Sequence, residues 1–123
     1  MACRDLLMRA SVSDVMEPCS VFVSSHDLVT RARAVMRSSG LRTLPVIDGG
    51  RLEGIITARQ IIRITSTRSN IPVAGIMFPP RLIATPTSNL VELGRDMVKL
   101  EISNVPVVQS YSDKTVIGLI SLG

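Results

Sequence analysis

The chain has 123 residues, of which 46% are hydrophobic and 2% are aromatic, and its formal net charge is +4. This length suits one compact domain or two small repeats, and the apolar content excludes wholesale disorder. With so few aromatic rings, the core must be aliphatic and a stacking platform for single-stranded nucleic acid is excluded.

Targeting and cross-linking signals are absent from the sequence. Cys3 and Cys19 have a spacing that suits neither a zinc site nor a disulfide framework. The longest uncharged run, 69–80, is too short to span a bilayer, and the first ten residues contain no uninterrupted apolar stretch. We therefore expect a soluble cytoplasmic protein.

The first predicted element is a helix from Arg4 to Ala10, with Leu6, Leu7 and Ala10 facing inward. A short apolar strand at 21–23 and a polar stretch come next. The apolar residues after them recur at helical spacing up to Gly40, where we expect the helix to end.

Two strands are then predicted, at Leu44–Ile47 and Leu52–Thr57. Asp48-Gly49-Gly50 between them is a hairpin signal. A second helix should run from about Ala58 to Arg68, and residues 69–72 form a linker after it.

The same order of elements then returns. Met16 and Met77 open matching segments at an offset of 61 residues, and Pro45 and Pro106 keep that offset. In the second copy we predict strands at 82–84, 105–108 and 115–121, and a helix at 90–100. Asn89 and Glu92 at its start have capping-box spacing.

The repetition predicts the domain organisation: an N-terminal helical segment at 1–11, a first repeat at 12–70 and a second repeat at 71–123. The second repeat lacks its last helix, because the chain ends at Gly123. The helix at 4–10 would partly fill that gap; alternatively, the natural sequence continues.

One unit cannot bury both faces of a three-stranded sheet, whereas two copies packed together can. We therefore predict an α+β fold of two β-α-β-β-α repeats related by a pseudo-twofold axis. The sheets would pack together, with helices outside and a cleft between the copies.

Groups for catalysis are missing from the sequence. His26 is the only histidine, no cysteine or carboxylate cluster has metal-ligand spacing, and no phosphate-loop or dinucleotide motif occurs. We expect a protein that is not an enzyme and binds no metal.

The repeated motifs carry a family resemblance. VMEP, LPVI and GIIT in the first copy return as IMFP, VPVV and GLIS in the second. In this order and spacing they resemble a tandem pair of CBS domains, also called a Bateman module.

The resemblance implies a regulatory module that requires no cofactor. Such pairs bind AMP, ADP, ATP or S-adenosylmethionine between the repeats, and some form disc-shaped dimers. Binding then acts on an attached or partner protein, so we expect a homodimer and a regulated enzyme or transporter.

The resemblance also implies two ligand sites. In the family pattern Gly-h-h-Thr-x-x-Asp (h, apolar), Thr and Asp bind ribose and phosphate; Thr57 matches the Thr, but Gln60 replaces the Asp. Arg59 between them could meet a phosphate. The first site would comprise Thr57, Arg59, Gln60, Arg81, Leu82, Ile83, Ile102, Ser103 and Asn104.

The second, pseudo-symmetric site is incomplete, because the chain ends before the position equivalent to Gln60. It would comprise Ser20, Val21, Phe22, Leu41, Arg42, Thr43 and Ser121.

Two other interpretations stay open. One is a structural dimerisation module without a ligand, favoured by Gln60 and the missing helix. The other is nucleic-acid binding through the Arg-rich first repeat, which the sequence favours less.

Overall fold

A computed structural model of the protein describes residues 10–64 and 71–121. No helix in this described part is long and apolar enough to cross a membrane. The helices are α1 (Val12–Val15), α2 (Val29–Ser39), α3 (Ala58–Ile64) and α4 (Leu90–Leu100), with a 3₁₀ turn at Val73–Gly75. The strands are β1 (Thr43–Asp48), β2 (Arg51–Thr57), β3 (Asn104–Val108) and β4 (Val116–Ser121).

The chain divides into two compact units. Ser20–Pro80 form one, the central unit, while Met1–Cys19 and Arg81–Gly123 form the other, the terminal unit. These units do not coincide with the sequence repeats. The segment that opens each repeat in sequence packs instead with the hairpin of the other repeat.

An antiparallel hairpin organises the central unit. β1 and β2 pair from Thr43 opposite Thr57 to Asp48 opposite Arg51, with a bulge after Val46. The turn contains glycines with φ of 56° and 82°, a left-handed conformation that side chains disfavour. The Asp-Gly-Gly prediction of a hairpin is confirmed.

An aliphatic core joins α2, α3 and this hairpin. Val29 and Ala32 of α2 are fully buried against Leu44 and Ile56 of the strands, and Ile61 of α3 joins them. The helix ends at Gly40 with φ of 76°. The predicted α+β fold is confirmed in its elements.

The terminal unit repeats this arrangement. β3 and β4 pair from Asn104 opposite Ser121 to Val108 opposite Val116. The Asn89 side chain accepts a hydrogen bond from the Glu92 N–H at 2.9 Å, which confirms the predicted start of α4.

The strands predicted at 21–23 and 82–84 are wrong in length, because each is a single parallel bridge. Val23 bridges Val46, and Ala84 bridges Val107. The next ladder bond would need an N–H from Pro45 or Pro106, and proline has none. In both units, the parallel ladder therefore stops at the equivalent proline.

Parts of two predicted helices lie outside the described residues. The helix predicted at 58–68 is α3 up to Ile64, and positions 65–68 are not described. Of the helix predicted at 4–10, only Ala10 is described, and it is not helical.

A crossing segment completes each hairpin by pairing with its second strand. In the central unit, Phe78 and Ile55 exchange two backbone hydrogen bonds of 2.8 and 3.0 Å. In the terminal unit, Glu17 and Leu119 exchange bonds of 2.9 and 2.7 Å. The repeated motifs therefore meet in space: IMFP lies on GIIT, and VMEP lies on GLIS.

Close approach explains the glycine of each strand motif. A Cβ atom on Gly54 would lie 3.0 Å from the Phe78 carbonyl oxygen and 3.2 Å from the Met77 sulfur. On Gly118 it would lie 2.7 Å from the Met16 sulfur. The absence of a side chain at these two positions lets the crossing segments approach the strands this closely.

Replacing Gly54 with alanine should therefore lower the free energy of unfolding by about 1–3 kcal/mol, since the added methyl overpacks against backbone. Gly94→Ala is the matched control: Gly94 is in α4, and an added Cβ would have no atom within 4 Å other than those of its chain neighbours and its own helix backbone. That variant should gain about 0.5–1 kcal/mol from helix propensity. Urea unfolding measures both, and equal effects would contradict the close approach.

Candidate functional site

The open end of the central hairpin, opposite its turn, gathers candidate residues from both predicted sites. Thr43 pairs with Thr57, and the Ala58 N–H donates to the Arg42 carbonyl oxygen at 2.8 Å. Arg59 and Gln60 follow at the start of α3. β1 and β2 thereby bring Thr57 beside residues that the sequence assigned to the other site.

The segment before Val23 leads to the same end. Val23 is parallel to β1, so Ser20, Val21 and Phe22 lie toward the end at which β1 begins. Because Pro45 has no N–H to extend the ladder, β1 does not pair with the backbone of the segment before Val23. Phe22 keeps 44% of its surface exposed.

The terminal unit shows the same placement. Ala84 bridges Val107, which directs Arg81, Leu82 and Ile83 toward the first residue of β3, Asn104. There, the Ser121 hydroxyl donates to Asn104 Oδ1 at 2.9 Å.

The candidates thus separate into two sets, one at the open end of each hairpin. The central set is Ser20, Val21, Phe22, Leu41, Arg42, Thr43, Thr57, Arg59 and Gln60. The terminal set is Arg81, Leu82, Ile83, Ile102, Ser103, Asn104 and Ser121. The grouping into sites that draw on both repeats stays a prediction.

Gln60 holds the polar network at the open end of the central hairpin. Its Oε1 atom accepts from the Thr57 N–H at 3.2 Å and from the Thr57 hydroxyl at 3.0 Å. Its Nε2 atom donates to the Ile76 carbonyl oxygen at 3.1 Å. The amide therefore ties the start of α3 to the crossing segment.

This role needs an amide, because a carboxylate has no proton to donate to Ile76. In the sequence, Gln60 stood out only as a departure from the family pattern. Thr57 and Gln60 have the Ser/Thr-x-x-Glu/Gln spacing of a capping box at the start of a helix. That spacing would have revealed the contact between Thr57 and Gln60, but not the bond to Ile76, which lies 16 residues along the chain.

The turn end of the central hairpin carries a carboxylate network that reasoning from the sequence missed. Asp48 accepts hydrogen bonds from the Ser24 hydroxyl at 2.6 Å, the Ser25 hydroxyl at 2.5 Å and the Ser25 N–H at 3.0 Å. The bond from Ser24, followed by that from Ser25, lowers the pKa of Asp48 below its ordinary value. The ionised carboxylate holds the loop before α2 against the turn.

The terminal unit has an open pocket of about 340 Å³ at the end of α4. Its lining combines three apolar side chains, a hydroxyl and a carboxylate: Met97, Val98, Glu101, Ile102 and Ser103. Glu101 ends α4 in a left-handed conformation with φ of 57°, at the position where Gly40 ends α2. Two terminal candidates, Ile102 and Ser103, thus border this open pocket.

Metal-binding chemistry is not apparent in the part of the chain that the structure describes, which holds no cluster of three or more His, Cys, Asp or Glu side chains. His26 is exposed, and its backbone N–H donates to Ser24 Oγ at 3.1 Å. Burial raises the pKa of the Cys19 thiol, which makes it a weaker nucleophile.

Comparison with known protein families matches the CBS domain twice, at residues 12–66 and 73–123. The chain belongs to the CBS domain family. It carries two CBS domains, as the repeated motifs predict, and these matches cover most of its length.

Curated relatives of different lengths are similar to this chain. Protein YhcV of Bacillus subtilis, a CBS domain-containing protein, is 25% identical over 93% of this chain and 81% of its own. The uncharacterised protein MJ0188 of Methanocaldococcus jannaschii is 28% identical, but the chain spans only 42% of it. The chain matches 20% of inosine-5'-monophosphate dehydrogenase of Korarchaeum cryptofilum, at 32% identity.

Solved structures show the same fold. The CBS pair of protein MJ0100, in complex with 5'-methylthioadenosine and S-adenosyl-L-methionine, matches with a TM-score of 0.73 and 25% identity. The match covers 91% of this chain and 89% of that one. Protein MJ1225 of M. jannaschii matches with a TM-score of 0.81 and 23% identity, over 96% of this chain and 48% of its own.

The Gln60 bridge predicts a pH-dependent effect of Gln60→Glu. At neutral pH the new carboxylate cannot donate to Ile76, and the variant should lose about 1–3 kcal/mol of unfolding free energy. Protonation restores a donor, so the deficit relative to the wild type should shrink as the pH falls toward about 4, near the ordinary pKa of Glu. Urea unfolding from pH 7 to pH 4 measures it, and a deficit that stays constant over this range would contradict the bridge.

Proposed function

We propose that this CBS pair is a regulatory module that binds an adenosine-containing compound and transmits its presence to another protein or domain. The observation that carries the proposal is the match to the MJ0100 pair, which holds two adenosine compounds. That match covers nearly the full length of both chains. The polar groups at the open end of the central hairpin supply the chemistry for such a ligand.

Thr57 is the central contact in this proposal. Its hydroxyl proton is donated to Gln60, which leaves oxygen lone pairs that can accept from a ribose hydroxyl. The arginines beside it can donate to a phosphate. Phe22 offers an exposed ring for apolar contact with a base.

The module would act by shifting a population of states, not by catalysis. A ligand regulates an attached enzyme or transporter only if its affinities for two conformations differ. The relative from K. cryptofilum is an enzyme of which this chain matches only 20%, which supports a regulatory part attached to a larger protein.

Isothermal titration calorimetry with AMP, ATP, 5'-methylthioadenosine and S-adenosylmethionine tests the proposal. At least one compound should bind, and Thr57→Ala should weaken binding by about 1–2 kcal/mol, the size of a lost hydrogen bond. Thr57→Ser keeps the hydroxyl and should retain affinity. Thr30→Ala, at an exposed position of α2, is the control and should have no effect.

A structural module that self-associates without a ligand is the second candidate. Ile62 on α3 and Val98 on α4 each expose 68% of their surface, and burying such side chains between copies is favourable. A stable homodimer in sedimentation velocity, with no heat from any of the four compounds, would favour this candidate and contradict ligand sensing.

A further inference from the structure

Charge is unevenly distributed over the central unit. Its sequence contains eight arginines and only three acidic residues, Asp27, Asp48 and Glu53. In the described part of the chain none of these acids lies among the candidate residues. The positions of these acidic residues distinguish the turn end of the hairpin from its open end in charge.

All three carboxylates belong to the turn end of the hairpin. Asp48 is paired with Arg51 beside the turn. Asp27 is joined to Asp48 through Ser24, whose N–H donates to Asp27 at 2.8 Å and whose hydroxyl donates to Asp48 at 2.6 Å. Glu53 precedes Thr57 by four residues of β2, which is about 13 Å of extended chain.

The open end, in contrast, carries cationic and neutral groups. Arg42 and Arg59 are both exposed, and the hydrogen bond between the Ala58 N–H and the Arg42 carbonyl joins their backbones. Gln60 beside them is an uncharged amide. At this end the central set contributes two exposed arginines and no carboxylate.

We propose that the open end of the central hairpin selects anionic adenosine phosphates over adenosine compounds that are neutral or carry a cationic sulfonium. This inference rests on the proposed function and deepens it by naming the ligand class. Guanidinium groups form charge-assisted, often bidentate hydrogen bonds with phosphate. They repel a sulfonium, for which the central set offers no counter-ion.

The proposal sets this chain apart from the MJ0100 pair, whose ligands are 5'-methylthioadenosine and S-adenosyl-L-methionine. In the terminal unit, the Glu101 carboxylate lies beside Ile102 in the pocket at the end of α4. Its contribution is separable by substitution, because Glu101→Gln removes the charge and leaves both arginines in place.

Calorimetry with ATP, AMP, 5'-methylthioadenosine and S-adenosylmethionine at low and high salt tests the inference. Affinity should fall in the order ATP, AMP and then the two compounds without phosphate, and the preference for ATP should narrow with salt because screening weakens exposed charge pairs. Arg42→Gln and Arg59→Gln should each weaken ATP about tenfold. Their affinity for 5'-methylthioadenosine should not change.

Arg51→Gln is the matched control, since Arg51 is an exposed arginine at the turn end of the same hairpin. It should bind all four compounds as the wild type does. Far-ultraviolet circular dichroism and the unfolding midpoint verify that each variant is folded.

Tighter binding of S-adenosylmethionine than of ATP that persists in Glu101→Gln would overturn the charge selectivity while leaving the proposed function intact. The same holds for an equal loss of ATP affinity in Arg51→Gln. Absence of binding by all four compounds would instead overturn the proposed function and this inference together.

Discussion

Two backbone crossings over glycine join the opening segment of each repeat to the hairpin of the other repeat. Gly54 and Gly118 let the segments around Phe78 and Glu17 approach the strands to ordinary hydrogen-bond distance. Each hairpin, which alone would have an unpaired edge, gains a partner at that edge. Because each partner comes from the start of the other sequence repeat, neither compact unit is a continuous copy of the repeat.

The same arrangement positions the candidate residues. A proline near the start of each hairpin's first strand stops the parallel ladder after one bridge. The segment before the bridging residue, Val23 or Ala84, therefore lies toward the open end without pairing with the strand. Thr57 and Gln60 lie at that end, and the Gln60 amide connects them to Ile76. Candidate ligand contacts are therefore built on the crossing that stabilises the unit.

Much of this could be predicted from local patterns. Apolar periodicity and Gly40 gave α2, Asp-Gly-Gly gave the turn, and the duplicated motifs gave the family, because each depends on neighbours in the sequence. The pairing of each opening segment with the hairpin of the other repeat could not be predicted, since it depends on which of two similar hairpins a segment contacts. The Asp48 network was missed for the same reason: its partners, Ser24 and Ser25, are more than twenty residues away.

Amide hydrogen exchange measured by nuclear magnetic resonance tests most directly whether the opening segment of each repeat pairs with the hairpin of the other repeat. The Glu17 and Phe78 N–H groups lie outside the four strands, yet each donates to a strand carbonyl. They should exchange as slowly as the amides of Leu119 and Ile55, their partners, because opening requires loss of the pairing. Exchange of Glu17 and Phe78 as fast as that of the exposed turn residue Gly49 would contradict the crossings.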